Sequence, residues 1–391
     1  MERGHGPRPR GARRKAKERM SWSPQQDAAI KAVQKWLAEK RGPQVFRLFG
    51  YAGSGKTTLA KNLAQDVRGP VLYGAFTGKA SLVLRKKGCD GASTIHSMIY
   101  KPVEDPKTGH TEFTLNQDSD VAISSLVIID EVSMVGEELA RDLLSFGTRV
   151  LVLGDPAQLP PVRGEGFFIN STPDVMLTEV HRQAAENPII RMSMDVREGR
   201  GLTPGYYGDS RVVRRGDIGK DEMREMVMGA DQLLCGTNKT RQSFNTRIRQ
   251  LKGIAGRHEH WHPVEGDRLV CLKNNRSRGL LNGSLWEATR VSYIKGKLDM
   301  LVTSLDNESA PAVDVTVAPQ FFLGTDKDMD WREKKKSDEF CHGYALTVHK
   351  SQGSQWDNVF LYDESAIFRD DAPKHLYTGI TRAAERVTVV V

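Results

Sequence analysis

The segment GYAGSGKT, residues 50–57, puts three glycines, a lysine and a threonine where an apolar strand gives way to a helix. Such a loop curls its backbone N–H groups around phosphate oxygens at the positive end of the helix. Lys56 then reaches the β and γ phosphates and the Thr57 hydroxyl holds Mg²⁺. A second segment, SLVIIDEVSM, ends an apolar strand in Asp130 and Glu131. One carboxylate completes a Mg²⁺ shell and the next orients and polarises a water, the division of labour that phosphoryl transfer to water requires. In LGDPAQLPPV, Gln158 can sense the γ-phosphate or the attacking water, and upstream the amide of Gln26 can hydrogen-bond both edges of an adenine. The chemistry these residues share is hydrolysis of ATP rather than phosphorylation of a second substrate.

Near the end of the chain, HLYTGITRAAERV reads as a short helix with Arg382 on its first turns, leading into the terminal strand RVTVVV. In a chain with 57 Lys+Arg, a lone arginine there is an ordinary solvated side chain until something else singles it out.

The elements that must position these groups are legible as pattern. SPQQDAAIKAVQKWLAEK starts with a capping Ser23 and a proline at the first helical position. QVFRLF, PVLYGAF, SLVIID and TRVLVLGD are short apolar runs, each followed by a turn and a helix, as in buried parallel strands with crossovers. A similar set follows in DQLLCGT, GYALTV, DNVFLYD and RVTVVV, so the fold is α/β with two lobes in tandem. Two segments interrupt that rhythm. YKPVEDPKTGHTEFTLNQ, residues 100–117, reads as a β-hairpin around DPKTG, and residues 283–322 alternate as a small all-β insertion.

The 391 residues suit two large domains, and 27% charged against 39% hydrophobic residues suits a soluble globular enzyme. No apolar run approaches the roughly 18 residues that span a bilayer, and the N-terminus lacks the apolar centre of a signal peptide, so a cytoplasmic protein is expected. The four cysteines form no CxxC pair and read as reduced and buried. RHEHWH reads as an exposed strand rather than a metal cluster. Net charge is +8, yet residues 1–20 hold eight Lys/Arg against two Glu, which leaves only about +2 for the body. That Gly-, Pro- and Arg-rich stretch is expected to be a disordered tail, either solubilising only or a salt-sensitive phosphate tether.

Ten words in chain order resemble the superfamily 1B helicases, the RecD/Dda-like branch: GYAGSGKTT, AFTGKAS, ASTIHS, LVIIDEVSM, LGDPAQLPPV, LTEVHRQ, CGTNKTRQSFN, GDRLVCLKNN with GLLNGSLW, ALTVHKSQGSQWDNV and LYTGITRAAE. The resemblance implies two tandem RecA-like P-loop NTPase domains. It sets a tail at 1–20, a first domain at 21–180 carrying a hairpin wedge at 100–120, and a second at 181–391 carrying an SH3-like insertion at 284–340. It implies ATP and Mg²⁺ as cofactors, with Gln26, Gly50, Gly53, Ser54, Gly55, Lys56, Thr57, Thr58 and Gly353 around the nucleotide, and Thr57 and Asp130 on the metal. Glu131 becomes the water-activating base and Gln158 the γ-phosphate sensor. Arg182 and Arg382 become arginines that face the γ-phosphate across the cleft, Arg382 as a finger from the other lobe. Thr77, Lys79, Thr94, His96, Thr237, Asn238, Thr347, His349 and Ser351 are the implied grip on a single strand, and Phe113 a stacking element of the wedge.

The implied activity is ATP-driven 5′ to 3′ translocation on single-stranded DNA with unwinding at duplex junctions. The motor is expected to be monomeric and to work beside single-strand-binding, replication or recombination proteins. A 3′ to 5′ superfamily 1A helicase, a superfamily 1 RNA helicase, and a DNA-stimulated P-loop ATPase that does not unwind are the alternatives. Two positions depart from the family pattern: Phe76 stands where proline is usual, and Gln355 where many relatives carry an acidic residue at the ribose.

Overall fold

A computed structural model describes residues 22–104, 111–161, 166–179, 186–254, 259–275, 278–307 and 309–391. The basic tail and Arg182 lie outside the described residues.

The first lobe runs α1 (Pro24–Ala38), β1 (Val45–Gly50), α2 (Lys56–Ala64), β2 (Val71–Ala75), α3 (Gly78–Lys86), β3 (Ser93–Thr94), α4 (Ile95–Ile99), β4 (Tyr100–Glu104), β5 (Thr111–Leu115), α5 (Asp120–Ile123), β6 (Leu126–Asp130), α6 (Glu137–Leu144), β7 (Val150–Gly154) and β8 (Val175–Leu177). Its sheet is ordered β3-β2-β6-β7-β1-β8 with every pairing parallel. β7 is buried throughout and β6 up to its terminal Asp130, so neither strand shows polar alternation. α1 starts as its sequence requires: the Ser23 hydroxyl accepts from Gln26 N–H and the Gln26 side chain accepts from Ser23 N–H.

The second lobe runs α7 (Pro188–Arg197), β9 (Gly205–Tyr207), β10 (Ser210–Val213), α8 (Lys220–Gly229), β11 (Gln232–Cys235), α9 (Asn238–Leu251), β12 (Arg268–Cys271), β13 (Leu285–Ile294), β14 (Lys297–Ser304), β15 (Val313–Val317), α10 (Gln320–Leu323), α11 (Trp331–Lys335), β16 (Phe340–His342), β17 (Ala345–Thr347), α12 (Val348–Ser351), β18 (Trp356–Tyr362), α13 (Ala372–Ile380) and β19 (Ala383–Val390). Its main sheet, β17-β11-β18-β19-β10-β9, is parallel except at the β9–β10 edge. A separate antiparallel sheet, β15-β14-β13-β12-β16, has its own core around Trp286, Phe321 and Phe340. That sheet spans residues 268–342, so a unit bounded at 284 and 340 would cut between β12 and its partner β13.

Arg382 is not on the first turns of a helix. It follows the end of α13 and immediately precedes β19, because the helix begins ten residues earlier, at Ala372, and Thr381 caps its end. RHEHWH is turn rather than strand over its described residues Glu259–His262; His258 lies outside them. Among the described residues no group of three His, Cys, Asp or Glu could hold a metal, and no helix is long and apolar enough to cross a membrane. All four cysteines are buried and free, and burial pushes the Cys235 and Cys271 thiols up to about 12.

A buried ion pair joins α9 to the base of the antiparallel sheet. Arg249 Nε and Nη2 donate to the two oxygens of Asp267 at 2.9 Å each, with side chains 1% and 0% exposed. Val264 N–H at 2.8 Å and the Tyr344 hydroxyl at 3.1 Å complete the carboxylate's shell. Asp267→Ala leaves a guanidinium buried and unpaired, and is expected to destabilise the chain by about 3–5 kcal/mol, read as a lower urea midpoint.

Candidate active site

The three strands of the first sheet richest in buried residues end at one place. Gly50 closes β1, Asp130 closes β6 and Gly154 closes β7, which puts their loops together at the C-terminal edge of the first sheet. Gly53 and Gly55 hold φ of 79° and 77°, the left-handed region that lets the loop coil before α2. Lys56 Nζ lies across the coil, donating to Gly50 O at 2.5 Å and Tyr51 O at 3.0 Å. The Ser54 hydroxyl donates to Tyr51 O at 2.8 Å, and Thr58 lines the cleft beside Thr57.

The Thr57 hydroxyl donates to Asp130 Oδ2 at 2.8 Å, so the two expected metal ligands already touch. Two hard oxygen donors beside the glycine coil fit Mg²⁺ with a bound triphosphate. Glu131 sits in the left-handed region at φ 57°, ψ 45°, a conformation that costs a non-glycine residue and clusters at functional sites. Its Oε2 is buried without a hydrogen-bond partner, while 27% of the side chain still meets the cleft. Burial raises its pKa, and the charges of Arg382 and Lys56 oppose that rise while Asp130 and Asp155 add to it.

The opposite wall comes from the second lobe. Arg382 is 5% exposed, and its Nε donates to Thr378 O at 3.1 Å and Nη1 to Ser354 O at 3.3 Å. Nη1 also stands 4.0 Å from Glu131 Oε1. A cleft of about 310 Å³ is bounded by Lys56, Thr57, Asp130, Glu131 and Gln158 on one side and by Gly353, Gln355 and Arg382 on the other. Gln26 does not line it. Its Oε1 takes Ser23 N–H at 3.1 Å and its Nε2 donates to Ser54 O at 3.0 Å, so the amide braces the phosphate loop from behind.

Four of the threonines expected to grip a strand share one local role. Thr77, Thr94, Thr237 and Thr347 each cap a helix, accepting from Ala80, Ser97, Thr240 and Lys350 N–H respectively. Accepting a cap bond leaves a threonine hydroxyl its own hydrogen; Thr94 donates its hydrogen to the Ser97 hydroxyl at 3.2 Å and Thr237 donates to the Thr240 hydroxyl at 3.0 Å. His96 and Asn238 are exposed, and His349 is half-buried against Phe368, 5.5 Å between ring centroids. Phe113 is 57% exposed and meets His96 edge-on at 4.7 Å.

Two of the residues expected at the strand have buried side chains engaged within the protein. Ser351 is fully buried, with its hydroxyl donated to Val348 O at 2.7 Å. Lys79 is 6% exposed, its ammonium 3.3 Å from Asp306 of the antiparallel sheet's loop and 4.6 Å from the Trp356 ring centre. Burial lowers its pKa against the pull of Asp306, so it works as an internal tie between lobes.

Sequence reasoning passed over Asp155, Tyr377 and Glu364. Asp155 and Tyr377 lie inside quoted words, but their meeting across 222 residues has no local signal. Glu364 is seated at the start of α9, where its carboxylate accepts from Gly236 N–H at 2.8 Å, Thr237 N–H at 3.0 Å and the Thr240 hydroxyl at 2.6 Å.

Comparison with known proteins adds the following. An AAA domain family matches residues 21–217, and the UvrD-like helicase C-terminal domain family matches residues 342–390. The ATP-dependent RecD2 DNA helicase of Deinococcus radiodurans is 30% identical over 390 residues, covering 92% of this chain and 50% of that protein. The ATP-dependent DNA helicase Pif1 of Bdellovibrio bacteriovorus is 24% identical over 406 residues, covering 92% and 85%. The conjugal transfer protein TraA of Agrobacterium fabrum is 26% identical, with 93% of this chain and 32% of TraA covered. The chain thus spans half the length of the RecD2 relative and about a third of TraA. Among solved structures, Bacteroides Pif1 bound to single-stranded DNA superposes with a TM-score of 0.55 at 18% identity, covering 94% of this chain and 92% of that one. Pif1 from Candida albicans superposes with a TM-score of 0.51 at 18% identity, covering 95% of each chain.

Proposed function

This chain belongs to the RecD/Pif1-like superfamily 1B helicases, and we propose on that premise that it is an ATP-dependent DNA helicase, moving 5′ to 3′ on single-stranded DNA and opening duplex ahead of it. The observation that carries this reading is a cleft furnished by both lobes, with Arg382 of the second standing 4.0 Å from Glu131 of the first. The single-strand-bound and fork-bound Pif1 structures that share the fold support DNA as the track.

In this reading the phosphate loop and Lys56 bind the triphosphate, and Thr57 with Asp130 hold Mg²⁺. Bound there, Mg²⁺ would supply charge neutralisation for the triphosphate. Glu131 takes a proton from the attacking water, with Gln158 beside it. Arg382 spreads its guanidinium over the oxygens that gain charge, and Gly353 and Gln355 close the cleft from the same side. Because Arg382 belongs to the second lobe, turnover demands that the seam be shut. Hydrolysis releases the seam and alternates the grip of the two lobes on the strand.

Duplexes carrying only a 5′ or only a 3′ single-stranded tail test the reading, with Lys56→Ala as the inactive control. Opening of the 5′-tailed duplex alone is expected. Opening of the 3′-tailed duplex alone reverses the direction. ATP consumption with both duplexes intact replaces unwinding by simple DNA-stimulated hydrolysis, and stronger activation by RNA moves the substrate class.

The β4–β5 hairpin is the proposed wedge, with Phe113 at its exposed surface. Replacing residues 101–115 by a Gly-Ser turn is expected to keep DNA-stimulated hydrolysis within about twofold while strand separation falls at least tenfold, since positioning rather than chemistry is lost. An equal loss of both activities removes the wedge from the reading.

A further inference from the structure

Gln158 lies in a loop of the first lobe whose two ends are held by the second. At one end the Tyr377 hydroxyl donates to Asp155 Oδ2 at 2.7 Å and accepts Ala52 N–H of the phosphate loop at 2.8 Å. At the other, Leu159 N–H donates to Thr378 Oγ1 and Gln352 Nε2 donates to Leu159 O, both at 2.9 Å. The Leu159 side chain, 1% exposed, is buried in the second lobe's apolar cluster with Val348, Tyr377 and Ile380. Asp155 spends its other oxygen on Ala157 N–H at 3.0 Å, and Gln158 N–H bonds Asp155 O at 3.1 Å. Gln158 is therefore strung between an anchor three residues before it and one immediately after. Both anchors depend on side chains more than 190 residues away in sequence.

The Gln158 side chain also accepts from the Ser133 hydroxyl of its own lobe at 3.3 Å, a bond that orients the amide but does not fix the backbone beneath it. We propose that the clamp sets that backbone position, so that the γ-phosphate sensor is fully in place only while the lobes are together. Tyr377, Thr378 and Gln352 are then positioning residues for the hydrolysis proposed above, on which this inference rests. The clamp transmits closure to the first lobe's own catalytic loop, a route separate from the direct reach of Arg382. Parting the lobes withdraws the Tyr377 hydroxyl, the Thr378 oxygen and the Leu159 socket at once.

The test is a double-mutant cycle. Tyr377→Phe keeps the ring and deletes the bonds to both Asp155 and Ala52 N–H; Thr378→Val keeps the shape and deletes only the acceptor for Leu159 N–H, and so is the cleaner arm of the cycle. Each is expected to lower kcat for ATP by roughly 10- to 100-fold with KM little changed, the cost of displacing a group by about an ångström. In a Gln158→Ala background neither is expected to lower kcat further, because the effect passes through that side chain. A role in packing alone predicts the opposite: losses that multiply with Gln158→Ala. Multiplying losses, or wild-type kcat in both variants, overturn the proposal.

Amide hydrogen exchange gives a readout independent of turnover. In Thr378→Val, Gln158 and Leu159 N–H are expected to exchange at least tenfold faster while the amides of β6 and β7 keep their rates. Unchanged exchange at Leu159 also overturns the clamp. A wild-type chain that hydrolyses no ATP overturns the helicase reading, and exchange at Leu159 still decides the clamp.

Discussion

Arg382→Ala is expected to cut DNA-stimulated ATP turnover by about 10³-fold or more, the range over which a guanidinium supplied across a cleft contributes to phosphoryl transfer. The side chain is pre-aimed: 5% exposed, it is fixed by carbonyls of Thr378 and Ser354 rather than sweeping through solvent. A fork already held in place loses little conformational freedom when it meets a phosphoryl group, which is why the whole electrostatic gain appears in kcat. Nucleotide affinity, measured with a fluorescent ATP analogue, is expected to fall much less, since Lys56 and the phosphate loop belong to the other lobe. Arg382→Lys keeps the charge without the planar fork and is expected to recover only a small part of the rate. Turnover by Arg382→Ala within threefold of the parent would remove the shared cleft as the seat of catalysis.

The second large effect falls on Glu131. Glu131→Gln preserves size and the backbone bond from its N–H to Asp130 Oδ1 at 2.9 Å, but removes the group that accepts the water's proton. A loss of about 10²- to 10⁴-fold in kcat is expected, the usual worth of a positioned general base. ATP and single-stranded DNA binding are expected to persist, so the variant should stall on DNA with nucleotide bound. Single-turnover quench separates this from slow product release: the base's removal abolishes the chemical burst itself. A normal burst followed by slow steady turnover would assign the water-activating role elsewhere, with Asp155 the nearest other buried carboxylate.

Much of the fold could be read because burial on both faces leaves a plain signature. TRVLVLGD and SLVIID carry no polar alternation, and both become inner strands of a parallel sheet. The phosphate loop and the Asp130–Glu131 pair were legible for a related reason: their chemistry fixes residue type and local backbone together. Other features depend on partners remote in sequence. Nothing near Lys79 announces that Asp306 will neutralise it, and nothing near Ser351 announces that its hydroxyl turns inward. Arg382 lies beyond its helix because α13 starts at Ala372 with a proline in its first turn, upstream of HLYTGITRAAERV. The clamp on Asp155 and Leu159 belongs to the same class, built by tertiary contact between words that are each intelligible alone.

In the proposed reading, Glu364 bears on how tightly the chain would hold its track. A phosphate arriving at the start of α9 finds Gly236 N–H, Thr237 N–H and the Thr240 hydroxyl already satisfied by a carboxylate. Binding at that point is an exchange of one anion for another, and its yield is the difference between them rather than the full strength of three donors. In the proposed reading a strand held by differences of this kind would leave its seat with little resistance, and because the three donors carry no charge this contact would add little to the salt dependence of attachment.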